Sequence, residues 1–392
     1  MDLSKLDGVQ NIINEMVGHA YVAGINCLVM QKGKEIAYYE AGYADIKNQK
    51  PIKRDTIFLL YSMSKPITAA AAMLLMERGV IDLLDPVEKF IPAFRGQQVL
   101  VNGSLVSAER PVTIKDLLSM TSGILYGNDI NHTGIRTEAL FEEIKTKLLS
   151  DEPITTKEFA KRIAKIPLAF QPGSRWEYGA GADVLGAVIE AAANRPLGEF
   201  LEENIFRPLE MVDTGFYVPD EKQSRLSKVY EDTNRGLIEY DGNHLGILIA
   251  MNQKPQFESG GAGLVSTIDD YSHFATMLLN KGKYKGKQIL APSTVRFMTT
   301  CELLPKLNKD VATWDSLKGH SYGNLMRILV APEQATYCGS KGEYGWDGWL
   351  GPYFVNDPVH DLTFIMMQQR KDSGTTAYTR KLRNIIASAL DE

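Results

Sequence analysis

Apolar positions change period along the chain, and the changes divide it. Near the start, Leu3, Leu6, Ile13 and Val17 fall close to helical spacing, so residues 1–20 predict an amphipathic helix. The segment GINCLVMQKGKEIAYYEAGYA switches to alternation, with Ile25, Cys27 and Val29 followed by Ile36 and Tyr38. It predicts two strands around the turn Gln31-Lys32-Gly33-Lys34. A short strand is expected over Thr56 to Leu60, then an alanine-rich helix. Pro66 suits that helix's first turn, Gly79 suits the position just past its end, and Ile67, Leu74 and Leu75 supply a buried stripe.

Residues 80–254 read as mainly helical with long loops. Thr113 is placed to cap TIKDLLSM, and TTKEFAKRIAKI and GADVLGAVIEAAAN are further helices. The polar stretch from Gly123 to Thr137 reads as a surface loop. From residue 255 the pattern changes again: Gly-rich SGGAGLVST, the helix IDDYSHFATMLLN, strand-like runs at Leu325–Val330, Tyr353–Val355 and from Leu362, and a final amphipathic helix, TRKLRNIIASAL. Strands at both ends and helices between them predict an α+β fold, with one sheet built from both chain ends. The expected division is residues 1–64 with 255–392 as the sheet domain and 65–254 as an inserted mainly helical domain. There are no internal repeats.

Composition narrows the function. The 392 residues are 44% apolar and 23% charged, ordinary for a globular protein and unlike a disordered one. The formal net charge of -5 lacks the basic excess of a nucleic-acid binder. No apolar run has the length of a membrane span, and the first residues lack a leader pattern, so the expectation is a cytoplasmic protein. Cys27, Cys301 and Cys338 are too dispersed for a disulfide framework or zinc site. The six histidines form no ligand pair, so no metal or cofactor is expected.

Ser62-Met63-Ser64-Lys65 places a hydroxyl and an amine one turn apart where the alanine-rich helix begins. A lysine with a lowered pKa can activate such a serine, and a helix N-terminus offers free N–H groups to a developing oxyanion. The spacing alone is weak, since it arises by chance roughly once in a chain of this composition and length. Two further stretches follow in order: Tyr178 after a turn and before a helix, and EYGWDGWLGPYFV, where glycines flank a segment running into a strand. Together they resemble the serine β-lactamase-like superfamily, which includes class C β-lactamases, DD-peptidases, D-amino-acid amidases and family VIII carboxylesterases. TIKDLLSMTSGI, IFRPLEMVDTGF and GGAGLVSTIDDYSHFATMLLN extend the resemblance to about residues 20–370.

The resemblance implies a β-lactamase-like fold with its site between the two domains. It makes Ser62 the acylated nucleophile and Lys65 a proton relay that keeps a positive charge. Tyr178 becomes general base and then acid, its phenolate favoured by the nearby ammonium. The backbone N–H groups of Ser62 and Trp349 would form the oxyanion hole. Trp346, Asp347 and Gly348 fall where the family carries Lys-Thr-Gly, and Ala180 where β-lactamases carry an amide. An indole and a carboxylate in place of a cation and a hydroxyl oppose an anionic β-lactam. The expected activity is hydrolysis of small esters, or of amides or peptides. The alternatives are β-lactamase or DD-peptidase activity, acyl transfer to an alcohol or amine, and a non-enzymatic acyl sensor. Asp347 would bind a substrate amine unless it pairs with a cation such as Lys341. Phe58, Tyr126, Trp314, Trp346 and Trp349 are candidates to line an acyl pocket. A competing site, Ser321 in GHSYG with Asp357 and His360, matches a nucleophile elbow by sequence but lacks the strand before and helix after it. GKYKGK at residue 282 is too short for a phosphate loop.

Overall fold

The computed structural model describes residues 1–127 and 131–390. Its centre is an eight-stranded antiparallel sheet. The strands are β1 (Gly24–Gln31), β2 (Lys34–Asp45), β3 (Lys50–Pro51), β4 (His320–Gly323), β5 (Met326–Leu329), β6 (Tyr344–Asp347), β7 (Tyr353–Asp357) and β8 (Leu362–Gln368). Their spatial order is β4-β5-β6-β7-β8-β1-β2-β3. The two ends of the sequence therefore meet in mid-sheet, with Leu28 opposite Ile365. Lys32 and Gly33, both at positive φ, make the β1–β2 turn where the sequence placed it.

Alternation decides what each face touches. Ile25, Cys27, Val29, Val355, Phe364 and Met366 pack under α1 (Asp7–Gly18) and the C-terminal helix Ala377–Ser388. Leu28, Phe354, Ile365 and Met367 face the opposite way, into the main core. Every residue of β8 is buried, as expected of a strand covered on both faces. In α1 the buried stripe is Val9, Ile13 and Met16, with Leu6 in the turn before it; Leu3 is exposed.

Helix α2 (Lys65–Glu77) departs from its expected single stripe: every residue from Lys65 to Leu75 is buried. A helix apolar on all sides belongs inside, and the run Ala69–Ala72 allows close packing there. Gly79 lies just past the end of α2 at positive φ. Thr113 caps Ile114–Leu118 through a capping box. The intervening region also holds two hairpins that the periodicity did not reveal, Gln98–Val101 with Ser104–Ser107 and Tyr230–Thr233 with Gly236–Glu239. The predicted loop at 123–137 is corrected. Its start is buried at Ile124 and Leu125, and a helix begins at His132; residues 128–130 lie outside the described residues. Among the described residues, no helix is long and apolar enough to cross a membrane.

Candidate active site

Ser62 owes its position to a strained residue. Tyr61 adopts φ of 45°, a left-handed conformation that costs a non-glycine residue about 1–2 kcal/mol. Its ring is fully buried and packs 4.9 Å from that of Trp349. The reversal opens the turn Tyr61–Ser64, from which α2 continues. Ser62 stays half-buried while Met63, Ser64 and Lys65 go inside.

Lys65 has no exposed surface. Its Nζ donates to Ser62 Oγ at 3.0 Å, to Tyr126 Oη at 3.0 Å and to the Gly261 carbonyl at 2.8 Å. Burial pulls its pKa down to about 7, against the opposing pull of Asp183 and Asp347. Asp183 lies in the first turn of α3 (Gly181–Ala193) and is buried. It accepts from Ser259 Oγ, from Gly261 N at 3.1 Å and from Tyr126 Oη at 3.4 Å. Burial raises its pKa. The Gly-rich run follows from this crowding, since a Cβ on Gly261 would lie 2.6 Å from Asp183 Oδ2 and 2.8 Å from Tyr126 Oη.

Tyr178 sits just before α3. Gly179 lets its segment approach the Ile124 carbonyl, where a Cβ would come within 2.1 Å. Lys65 Nζ lies 4.7 Å from the centre of the Tyr178 ring. Trp346, buried at the end of β6, donates its indole N–H to Tyr178 Oη at 3.1 Å. Burial pushes the phenol pKa up, only partly offset by hydrogen bonding with Ser62 and Trp346.

Gly348 brings the end of β6 against the segment that precedes Ser62. A Cβ there would stand 2.2 Å from the Leu60 carbonyl. Gly348→Ala should therefore cost about 1–3 kcal/mol or more, because backbone cannot yield as a flexible side chain can; thermal unfolding measures it. Among the described residues, neither the Ser62 nor the Trp349 backbone N–H makes an intramolecular hydrogen bond. The half-buried Trp349 ring stacks 4.2 Å from His244 and donates its indole N–H to Asp372 at 2.6 Å.

Asp347 does not pair with Lys341. Thr375 Oγ1 donates to its Oδ2 at 2.6 Å, and buried Arg327 lies 3.9 Å from Oδ1. Of the other aromatic candidates, Phe58 is a core residue with no exposure, Tyr126 is bound to Lys65, and Trp314 is exposed beside the Tyr178 ring. The competing site does not assemble. Ser321 is fully buried, donates to Asn308 Oδ1 at 2.8 Å and accepts from Leu303 N at 3.0 Å. Asp357 and His360 meet Ser340 instead, and its hydroxyl donates directly to the carboxylate at 2.6 Å. Sequence reasoning missed Asp183, Gly261 and the Tyr126–Lys65 bond. The one available signal was the density of glycine from 260 to 263, which marks close backbone approach.

Comparison with known proteins gives consistent results. A family model described as Beta-lactamase matches residues 9–388. Protein Rv1367c of Mycobacterium tuberculosis (strain ATCC 25618 / H37Rv) is 30% identical over 380 residues, covering 93% of this chain and 90% of that one. Esterase EstB of Burkholderia gladioli is 32% identical over 392 residues, covering 93% and 89%. Among solved structures, EstCE1, described as a hydrolase with promiscuous acyltransferase activity, superposes with a TM-score of 0.84 at 26% identity over 98% of each chain.

Proposed function

Because this chain belongs to the Beta-lactamase family, we propose that it is a serine hydrolase that cleaves small esters, and amides or peptides more slowly, through an acyl-enzyme on Ser62. The observation that carries this reading is the contact between a half-buried serine hydroxyl and a wholly buried amine, 3.0 Å apart.

The electrostatics refine the division of labour. The expected phenolate would need its pKa lowered, yet burial raises Tyr178 and lowers Lys65. Near pH 7 the amine is therefore the better proton acceptor. Ser62 Oγ bonds to the acyl carbon while its proton passes to Lys65 Nζ. The unpaired N–H groups of Ser62 and Trp349 receive the oxyanion. When the carbon–heteroatom bond breaks, neutral Tyr178 gives its proton to the departing oxygen or nitrogen, and the Lys65 ammonium replaces it. Water then repeats the sequence in reverse and frees the acid. Trp346 positions the phenol by donating to Oη but brings no formal charge. A carboxylate-bearing lactam thus loses the cation that the family motif supplies, which favours neutral esters. Asp347, held by Thr375 and near Arg327, offers little to a substrate amine.

Intact-protein and peptide mass spectrometry after exposure to p-nitrophenyl esters, D-amino-acid amides and a penicillin tests this. The ester acyl group should appear on the peptide containing Ser62 and turn over. A stable adduct without turnover would make the protein a sensor, and labelling at another residue would defeat the assignment.

A further inference from the structure

We infer that Trp314 forms a subsite for the departing alcohol, and that this subsite selects esters whose alcohol portion is an uncharged aromatic or bulky apolar group. The inference rests on the role given above to Tyr178. A leaving oxygen that takes its proton from Tyr178 Oη must lie within hydrogen-bond reach of it, so the group attached to that oxygen lies beside the Tyr178 ring.

Four aromatic rings border Tyr178. Trp346 at 5.4 Å and Trp176 at 6.5 Å are buried. Tyr126, at 5.7 Å, is half-buried with its hydroxyl bound to Lys65. Trp314, edge-on at 5.3 Å, is 42% exposed. It is thus the open apolar wall next to the proton donor. A tryptophan left open beside a reacting group offers apolar area and a ring face that a bulky apolar group can cover.

The wall is held in place. Trp314 N donates to the Val311 carbonyl at 3.2 Å, and Leu317 N donates to the Trp314 carbonyl at 2.8 Å. Asp310, in the short helix Asn308–Val311, accepts from Trp176 N at 3.1 Å, which ties this segment to the stretch that carries Tyr178. Trp176 also meets the Trp314 ring at 5.8 Å. Such pre-organisation lowers the ordering cost of binding. The adjacent Asp315 and Lys318 pair with each other at 2.7 Å, so neither stands as a lone charge beside the ring.

The test compares benzyl acetate with ethyl acetate, which leave the same acetyl group on Ser62 and differ in the alcohol. Trp314→Ala should lower kcat/KM for the benzyl ester about tenfold more than for the ethyl ester, a difference of about 1.4 kcal/mol. Trp314→Phe should keep most of the wild-type ratio, since an aromatic face remains. Hydrolysis of the acetyl-enzyme, common to both substrates, should give one rate for both esters within each variant. If Trp314→Ala leaves the benzyl-to-ethyl ratio at its wild-type value, whether or not both rates fall, the tryptophan only packs against Tyr178 and the inference is wrong. If the wild-type protein is acylated by neither ester, the failure belongs to the reading of Ser62.

Discussion

Ser62→Ala is expected to lower kcat/KM for ester hydrolysis by at least about 10⁴-fold while leaving the fold intact, because without the proposed nucleophile only binding and the proposed oxyanion site remain. Its informative partner is Ser321→Ala. Ser321 lies in a sequence that imitates a nucleophile elbow, but its hydroxyl bridges Asn308 and the Leu303 N–H inside the core. Removing it strands a buried N–H and should cost about 1–3 kcal/mol of stability with no loss of activity per folded molecule. Parallel kinetics and thermal melts separate the two. Lost activity in Ser321→Ala at full stability would mean the assignment is reversed.

Lys65→Met should act in opposite directions on activity and stability. Acylation should fall by about 10²–10⁴-fold, the usual worth of a positioned proton acceptor. Stability should rise by about 1–3 kcal/mol near pH 7, because methionine fills similar space without requiring a buried amine. The sign follows from proton uptake. Folding lowers the Lys65 pKa from 10.5 to about 7, so between those values the unfolded chain binds more protons and wild-type stability climbs with pH. The penalty is complete below about pH 7 and gone above 10.5, so the advantage of methionine should shrink towards pH 10. Part of the gain is lost because Tyr126 and the Gly261 carbonyl lose a donor. The same titration should make wild-type acylation decline as pH falls through about 7. A variant less stable by the same amount at pH 7 and pH 10 would show that the amine is charged in the folded state.

Much of this was legible beforehand. The meeting of both chain ends in one sheet follows from where period-two alternation occurs, and the Ser62–Lys65 contact follows from helical spacing. What sequence did not disclose depends on the third dimension. The direction of Asp183 was hidden, because an acid in the first turn of a helix ordinarily faces solvent and complements the dipole. The Tyr126 contact was hidden in a polar stretch whose first residues turn inward. Opposite shifts at Lys65 and Tyr178 could not be foreseen either, since both come from burial, which spacing does not measure. The full enclosure of α2 was hidden as well, because its alanines mark a helix former and only Ile67, Leu74 and Leu75 marked a buried stripe, whereas its neighbours lie on every side.

The adjacency of β1 and β8 has a consequence for biosynthesis. This interior pair of the sheet joins a strand made early to one of the last to leave the ribosome. Until β8 arrives, β7 and β1 each lack a neighbour, so β6, which carries Trp346 and leads to Trp349, has no platform connecting it to the N-terminal strands. On the proposed mechanism, a growing polypeptide that already contains Ser62, Lys65 and Tyr178 should therefore stay inactive until this late, long-range pairing forms. Hydrolysis by stalled or shortened chains that end before β8 should accordingly be undetectable.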